Sequence, residues 1–306
     1  MISQPFFSII IPTYNREKYI QDTITSVLDQ TFDDFELIII DNQSEDTTKG
    51  KIESFSDKRI NFYQNDKNYE RCYSRNRGIA LAKGKFILLL DSDDLYEENH
   101  LRNWYDFINQ RDAKENAFYV SVKKLLQNEQ ISLQPNIQIK EHPVSYFFQN
   151  PILPGQLCIP ATMAKQYSFR SDLLIFEDAA LWMELALDYP VIFNSISTFI
   201  YRNHDDNSVN VLKYNAYYFR LIAIRKIIKE KKFDRYIIQK RFTLNACYMG
   251  IIRYHEYNSN RFKRADWILK SLVFFPEFGL KNKILLVLNV IPFLSNLPFF
   301  KNRKLY

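Results

Sequence analysis

Glycine is scarce here, with 6 in 306 residues, and its distribution excludes two large classes of nucleotide-binding protein. No G-x-G-x-x-G follows the first strand-like run, which removes the turn that lets a dinucleotide pyrophosphate approach a helix N-terminus. No G-x-x-x-x-G-K-[ST] occurs either, which removes a P-loop. Cysteine is equally sparse: Cys72, Cys158 and Cys247 lie far apart and match no metal-ligand spacing. An odd, unpatterned set reads as three buried thiols in a reducing compartment. A clean apolar run of about 20 residues, which a membrane span requires, is also missing. The most apolar stretch, KILLVLNVIPFLSNLPFF (283–300), is broken by Asn289, Pro292, Ser295, Asn296 and Pro298, so it reads as surface-lying or partly embedded. The opening MISQPFFSIIIPTYN has no basic n-region, and the expectation is a chain that starts in the cytosol.

What is present is unevenly charged. Residues 210–306 hold 20 Lys+Arg against 5 Asp+Glu, leaving 21 against 30 in residues 1–209, so the two parts carry +15 and −9. So basic a C-terminal part implies an anionic partner, either nucleic acid or an anionic membrane face. No nucleic-acid recognition motif accompanies the charge, so the membrane face is the expected partner.

Strand-like runs FFSIII (6–11), FELIII (35–40), INFYQ (60–64), KFILLL (85–90) and AFYVSV (117–122) alternate with helical stretches near 17–29, 47–55, 69–82 and 98–110. Apolar strands without alternation are those of a parallel sheet covered on both faces, so the fold class is α/β. Ligands of such sheets bind beyond the carboxyl ends of the strands. There the chain places PTYNRE, DNQSEDTT and DSDD. Mixed strands are expected after about residue 145, a helix opens at EDAALWMELA (177–186), and from 208 onward the pattern is helical and basic, as over 220–241. The division expected is 1–207 and 208–306.

In FILLLDSDDLY (86–96) a buried strand runs into Asp91, Asp93 and Asp94. Carboxylates this close raise one another's pKa unless a cation sits among them. Residues 91 and 93 point the same way on an extended backbone, which suits a hard divalent ion that keeps open positions for phosphate oxygens. A loop that turns the chain and caps the helix starting near Glu97 is the alternative. Asp41, at the end of the second run, is placed either to recognise a base or ribose or to close an Asx-turn within DNQS.

With these residues in view, the chain resembles the inverting glycosyltransferase family 2, which has the GT-A fold. The resemblance covers roughly residues 5–205. It is carried by FSIIIPTYNRE, LIIIDNQSEDTT, SRNRGIALAKGKFILLLDSDD, FEDAALWMELA and YRNHDDNS, in that order. It implies a mostly parallel, Rossmann-like sheet flanked by helices, with a helical C-terminal extension. The implied activity is sugar transfer from a nucleotide-sugar donor to a hydroxyl, with Mn²⁺ or Mg²⁺ bridging the diphosphate to the Asp cluster.

Carried across position by position, the resemblance puts Pro12, Thr13 and Tyr14 on the nucleotide and Asp41 on its base or ribose. Arg75 and Asn76, with Gly78, lie near the donor, as do Asp91 and Ser92. Asp93 is the direct metal ligand, with Asp91 and His204 near the metal. Asp178 is the base that deprotonates the acceptor, and Glu177 beside it positions the base or contacts the acceptor. DNQSEDTT departs from the DDGS pattern of many members, so UDP is expected on family frequency alone. The implied acceptor is a growing polysaccharide or lipid-linked oligosaccharide at the cytosolic membrane face. Two alternatives stay open: transfer to a polyprenyl phosphate, and a non-catalytic nucleotide-sugar-binding scaffold.

Overall fold

The computed structural model describes residues 4–111, 115–133, 143–150, 152–207, 214–227 and 229–236, with short pieces at 244, 247–248, 250–252 and 266–267. The chain divides into two compact units, residues 1–207 and 208–306.

The first unit is built on a curled sheet. Its strands are β1 (Phe7–Thr13), β2 (Phe35–Asp41), β3 (Ile60–Gln64), β4 (Phe86–Leu89), β5 (Leu95–Tyr96), β6 (Phe118–Gln127), β7 (Gln130–Leu133), β8 (Leu157–Pro160) and β9 (Val191–Arg202). Their order is β3-β2-β1-β4-β8-β6-β9-β5, with β7 paired to β6. The four strands from β3 to β4 are parallel, and every residue of β1, β2 and β4 is buried, which is why those runs are uninterruptedly apolar. AFYVSV does form a strand, β6, but it does not extend the parallel series directly. β8 intervenes, antiparallel to both β4 and β6, while β6 runs parallel to β9.

The helices of this unit are α1 (Ile20–Leu28), α2 (Thr48–Glu53), α3 (Arg71–Leu81), α4 (His100–Asn109), α5 (Pro143–Gln149), α6 (Ala161–Ala164) and α7 (Glu177–Asp188). α1 buries Ile20, Thr23, Ile24 and Val27, one stripe at helical spacing, against the core that also holds β1 and β2. α4 does the same with His100, Leu101, Trp104 and Ile108. His100 is a core residue: burial pushes its pKa down to about 3, Thr198 Oγ1 lies 2.8 Å from Nδ1, and Trp104 Nε1 donates to Nε2 at 3.1 Å.

Two glycines let α3 and the strand after it close onto the sheet. A Cβ on Gly78 would fall 2.3 Å from Ile10 Cγ2 on β1, and one on Gly84 would fall 2.6 Å from the backbone of Phe7 and Ser8. Gly84 N donates to Ser8 Oγ, which donates in turn to the buried carboxylate of Glu36 at 2.7 Å.

In the second unit, where a helical pattern is expected, the helix Tyr214–Ile227 is followed by a short 3₁₀ helix, Lys231–Tyr236. Cys72, Cys158 and Cys247 are free and buried. Among the described residues no helix is long and apolar enough to cross a membrane. The apolar stretch 283–300 lies outside the described residues.

Gly84→Ala should destabilise the first unit by about 1–3 kcal/mol, because the contact is with backbone that cannot rotate away. Urea denaturation reads this directly, and an unchanged midpoint would contradict the close approach.

Candidate active site

The loops at the carboxyl ends of β1, β2 and β3 are stitched together by hydrogen bonds. Asn42 N donates to Thr13 O and Asn65 N to Asp41 O, both at 2.8 Å. The turn after β1 docks on the one after β2: Asn15 N donates to Ser44 Oγ, Glu45 N to Asn15 Oδ1, and Arg16 N to Thr48 Oγ1 at 2.8 Å. Asn15 takes φ 50°, a left-handed conformation that Asn tolerates better than most residues. The turn delivers the Arg16 guanidinium to Asp93, with Nε 3.1 Å from Oδ2.

The DSDD loop is held from below by α1. Thr23 Oγ1 lies 2.9 Å from Asp94 O and 3.1 Å from Ser92 O, and Ser26 Oγ accepts from Tyr96 N. Ser92 is buried by this docking. Asp94 turns inward and accepts from Arg202 N at 2.9 Å, tying the loop to the end of β9. Burial, reinforced by Asp93 and Asp91, pushes its pKa well up. Asp93 goes the other way: His204 and Arg16 outweigh its burial and hold its carboxyl below the usual range. His204 Nε2 is 3.1 Å from the same Oδ2, and its ring stacks on Tyr19 with centroids 4.3 Å apart. Arg202 covers the Tyr19 ring at 5.2 Å.

Asp91 is linked to α7 by Arg75, whose side chain is 4% exposed. Nη2 donates to Asp91 Oδ1 at 2.7 Å and Nη1 to Glu177 Oε1 at 3.0 Å, and Arg71 Nε meets the same Glu177 oxygen at 2.7 Å. Asp178 follows in the first turn of α7, where the helix dipole favours a carboxylate. Burial and then the neighbouring Glu177 push its pKa up to about 6, against the pull of Arg75.

The structure therefore groups Asp91, Asp93, His204 and Arg75, and reaches Asp178 through Glu177. Other expected site residues are placed differently. Glu177, expected to position the base or meet the acceptor, is buried with two arginines on one oxygen, which is an anchoring position beside the base. Asn76 spends its carboxamide on the backbone of Phe169, donating at 2.9 Å and accepting at 2.8 Å, so it clasps the loop that leads to α7. Asp41 is fully buried and accepts from Ser44 N, Ser44 Oγ and Gln64 Nε2, so the Asx-turn is formed. Pro12 and Thr13 end β1, and Tyr14 follows half-buried in the turn. Thr13 Oγ1 is a buried hydroxyl without a partner among the described residues, at the strand end where a ligand of such a sheet binds. Arg16 and Arg71 were not singled out from sequence. Arg16 stands in the quoted PTYNRE, and Arg71 precedes Arg75 by one helical turn, which was the available signal.

The donor set fits a hard divalent ion. Asp91 Oδ2 and Asp93 Oδ1 make no hydrogen bond to described residues, their partner oxygens being taken by Arg75, Arg16 and His204. Among the described residues no cluster of three or more His, Cys, Asp or Glu closes a metal site on its own. Two carboxylates with substrate phosphates and water completing the shell is the arrangement Mg²⁺-type ions take.

Comparison with known proteins gives the family and the fold. The family model Glycosyl transferase family 2 matches residues 8–172, more than half of the chain. The uncharacterized glycosyltransferase MJ1057 of Methanocaldococcus jannaschii is 26% identical over 268 residues, 83% of this chain and 87% of that protein. WfgD of Escherichia coli, a UDP-Glc:α-D-GlcNAc-diphosphoundecaprenol β-1,3-glucosyltransferase, is 43% identical over 94 residues, 31% of this chain and 37% of that one. The mannosyltransferase PcManGT of Pyrobaculum calidifontis, solved with GDP-Man and Mn²⁺, superposes with a TM-score of 0.62 at 14% identity, covering 98% of this chain and 83% of that chain. The last match establishes the GT-A fold.

Removing the Arg75 guanidinium leaves the buried Glu177 with Arg71 alone and takes the described partner from the partly exposed Asp91, so Arg75→Met should cost about 3 kcal/mol in urea unfolding. In a cycle with Glu177→Gln the two losses should fall short of additivity by at least about 0.5 kcal/mol. Additive losses would mean that the two residues do not act as a unit.

Proposed function

The chain belongs to glycosyl transferase family 2, and from that membership we propose a metal-dependent inverting transferase that moves a sugar from a UDP-sugar to a hydroxyl of a saccharide or lipid-linked acceptor. One observation carries the reading: Asp178, a carboxylate with its pKa raised to about 6, begins α7 beside Glu177, and Arg75 joins Glu177 to Asp91. A base is most effective when its pKa lies near the working pH, and burial has brought Asp178 there.

In the proposed step the acceptor oxygen attacks the anomeric carbon while Asp178 takes its proton. The electron pair of the anomeric C–O bond leaves with the nucleoside diphosphate. Asp91 and Asp93 would hold Mn²⁺ or Mg²⁺, with His204 steadying Asp93; when bound, the ion neutralises diphosphate charge. Arg16 and His204 fix the Asp93 carboxylate through one oxygen, leaving the other for the ion. Thr13 and Tyr14 line the nucleotide end.

The UDP-linked donor and diphosphoundecaprenol-linked acceptor of WfgD support a role in envelope polysaccharide synthesis. A polyprenyl phosphate acceptor is already an anion and needs no base, so the tuned Asp178 favours a hydroxyl. The excess of 20 Lys+Arg over 5 Asp+Glu in residues 210–306 supports peripheral docking at the anionic inner face of the membrane.

Calorimetry with UDP, GDP and dTDP, each with Mn²⁺ and with EDTA, tests the donor site. Wild type should bind UDP only with metal, and Asp93→Ala should lose that binding; metal-independent or unaltered binding refutes the assignment. Asp178→Asn should retain UDP binding and lose about 10²–10⁴-fold in kcat. An active Asp178→Asn enzyme would instead indicate the polyprenyl phosphate reaction. Because the carboxylate is the working form, kcat/KM should fall tenfold per unit as pH drops below about 6 and be flat above it. Sedimentation with anionic liposomes should show binding that weakens with salt, and indifference to anionic lipid would remove the membrane assignment.

A further inference from the structure

Two polar side chains on the β6–β9 face take no part in the hydrogen bonds that build the DSDD loop and the start of α7. Lys123 and Tyr201 are diagonal neighbours across the parallel β6–β9 pair, where Lys123 is opposite Phe199 and Leu125 is opposite Tyr201. The Lys123 ammonium lies 5.4 Å from the centroid of the Tyr201 ring. Neither its ammonium nor the Tyr201 hydroxyl has a hydrogen-bond or ion-pair partner among the described residues, although both side chains are partly buried. A half-buried ammonium that meets only the face of an aromatic ring keeps its N–H donors available for an anionic ligand.

The surroundings say on which side that anion lies. Ile200, next to Tyr201, is opposite Leu95 of β5 and opposite Lys124, the neighbour of Lys123, and Arg202 N on the other side of Tyr201 donates to Asp94 Oδ1 at 2.9 Å. The pair therefore sits beside the DSDD loop. Burial holds Lys123 below its ordinary range, and it pushes the Tyr201 phenol up to about 12, so that hydroxyl stays a neutral donor at working pH. The β-bulge between Ser121 and Lys123 changes the register just before Lys123, and bulges commonly re-aim a side chain next to an active site.

We propose that Lys123 and Tyr201 form a protein-borne anion site for the terminal phosphate of the donor's nucleoside diphosphate, beside the DSDD loop. This rests on the reading of DSDD as the donor diphosphate site. As the anomeric C–O bond breaks, its electron pair goes to that phosphate oxygen. The Lys123 ammonium and the Tyr201 hydroxyl hydrogen-bond the phosphate without giving up a proton, and Asp178 keeps the proton of the acceptor. Charge-assisted hydrogen bonds of this kind gain strength in a site shielded from water.

The test is calorimetric titration of UDP and UMP, each with Mn²⁺, into wild type, Lys123→Met, Lys123→Arg and Tyr201→Phe, with a thermal melt of each. Lys123→Met should bind UDP about ten- to hundredfold more weakly and UMP as wild type does. Lys123→Arg should recover most of the loss, and Tyr201→Phe should show a smaller UDP-selective loss. All melts should lie close to that of wild type, since no hydrogen bond or ion pair between described residues is removed, only the Lys123–Tyr201 ring contact. Wild-type UDP affinity in Lys123→Met overturns the inference while leaving the donor site standing. Equal losses for UDP and UMP, or a lowered melting temperature with them, overturn it as a structural effect. If wild type itself binds no UDP, GDP or dTDP, the donor-site reading fails and this inference falls with it.

Discussion

Five carboxylates gather at one end of this sheet, and the buried guanidinium of Arg75 offsets three of them, Asp91, Glu177 and Asp178. It reaches Asp91 with one terminal nitrogen and Glu177 with the other, at 2.7 and 3.0 Å, from the middle of α3. A lysine at this position would present one point charge on a flexible stem, whereas the planar fork of arginine fixes two directions at once. The strand that ends in DSDD and the helix that begins at Glu177 are therefore set relative to each other by one side chain. Phe169, whose ring lies 5.1 Å from the guanidinium carbon, and Asn76, which clasps the Phe169 backbone, extend the same constraint into the segment before α7.

The metal-side carboxylates are constrained from the opposite direction. Thr23 on α1 reaches the backbone of the DSDD loop, and the docked turns after β1 and β2 bring Arg16 onto Asp93. Tyr19, just before α1, carries His204 on its ring, and Arg202 covers that ring. Residues from the start and the end of the first unit thus close on one aspartate. The geometry of Asp93 depends on pairing β9 correctly with β5 and β6, so the site forms only when the mixed half of the sheet has folded onto the parallel half.

Much of this was legible in the sequence because the parallel half consists of buried strands, and buried parallel strands read as plain apolar runs with polar residues at their ends. β1 to β4, the DSDD turn and the opening of α7 at Glu177 followed from that pattern and from the motif order. The insertion of β8 between β4 and β6 did not, since LCIP is too short and too apolar to reveal its direction or its neighbour. Side-chain tasks were harder still. Asn76 and Asp41 have the chemistry of ligand contacts, but hydrogen bonds with Phe169 and Ser44 claim them, and partners so far apart or so local leave no periodic trace. Arg16 sat in a quoted motif without a role because the residue it meets is 77 positions away.

The same local chemistry is divided electrostatically into different tasks. Asp94 faces inward, its pKa driven up by burial and by Asp93 and Asp91, and it accepts a backbone N–H. Asp93, one residue earlier, is held low by His204 and Arg16 despite its burial, so it stays an anion over the working range. Asp178 falls between them at about 6, because burial and Glu177 raise it while Arg75 and Arg71 restrain the rise. Three aspartates of similar intrinsic acidity thus become a structural acceptor, a permanent charge and a proton acceptor. Their environments, rather than their order in the chain, make the distinction. Removing a restraining cation would therefore shift these tasks as well as weaken a bond: without Arg75 the Asp178 carboxyl would rise further, and the base would be protonated at a higher pH.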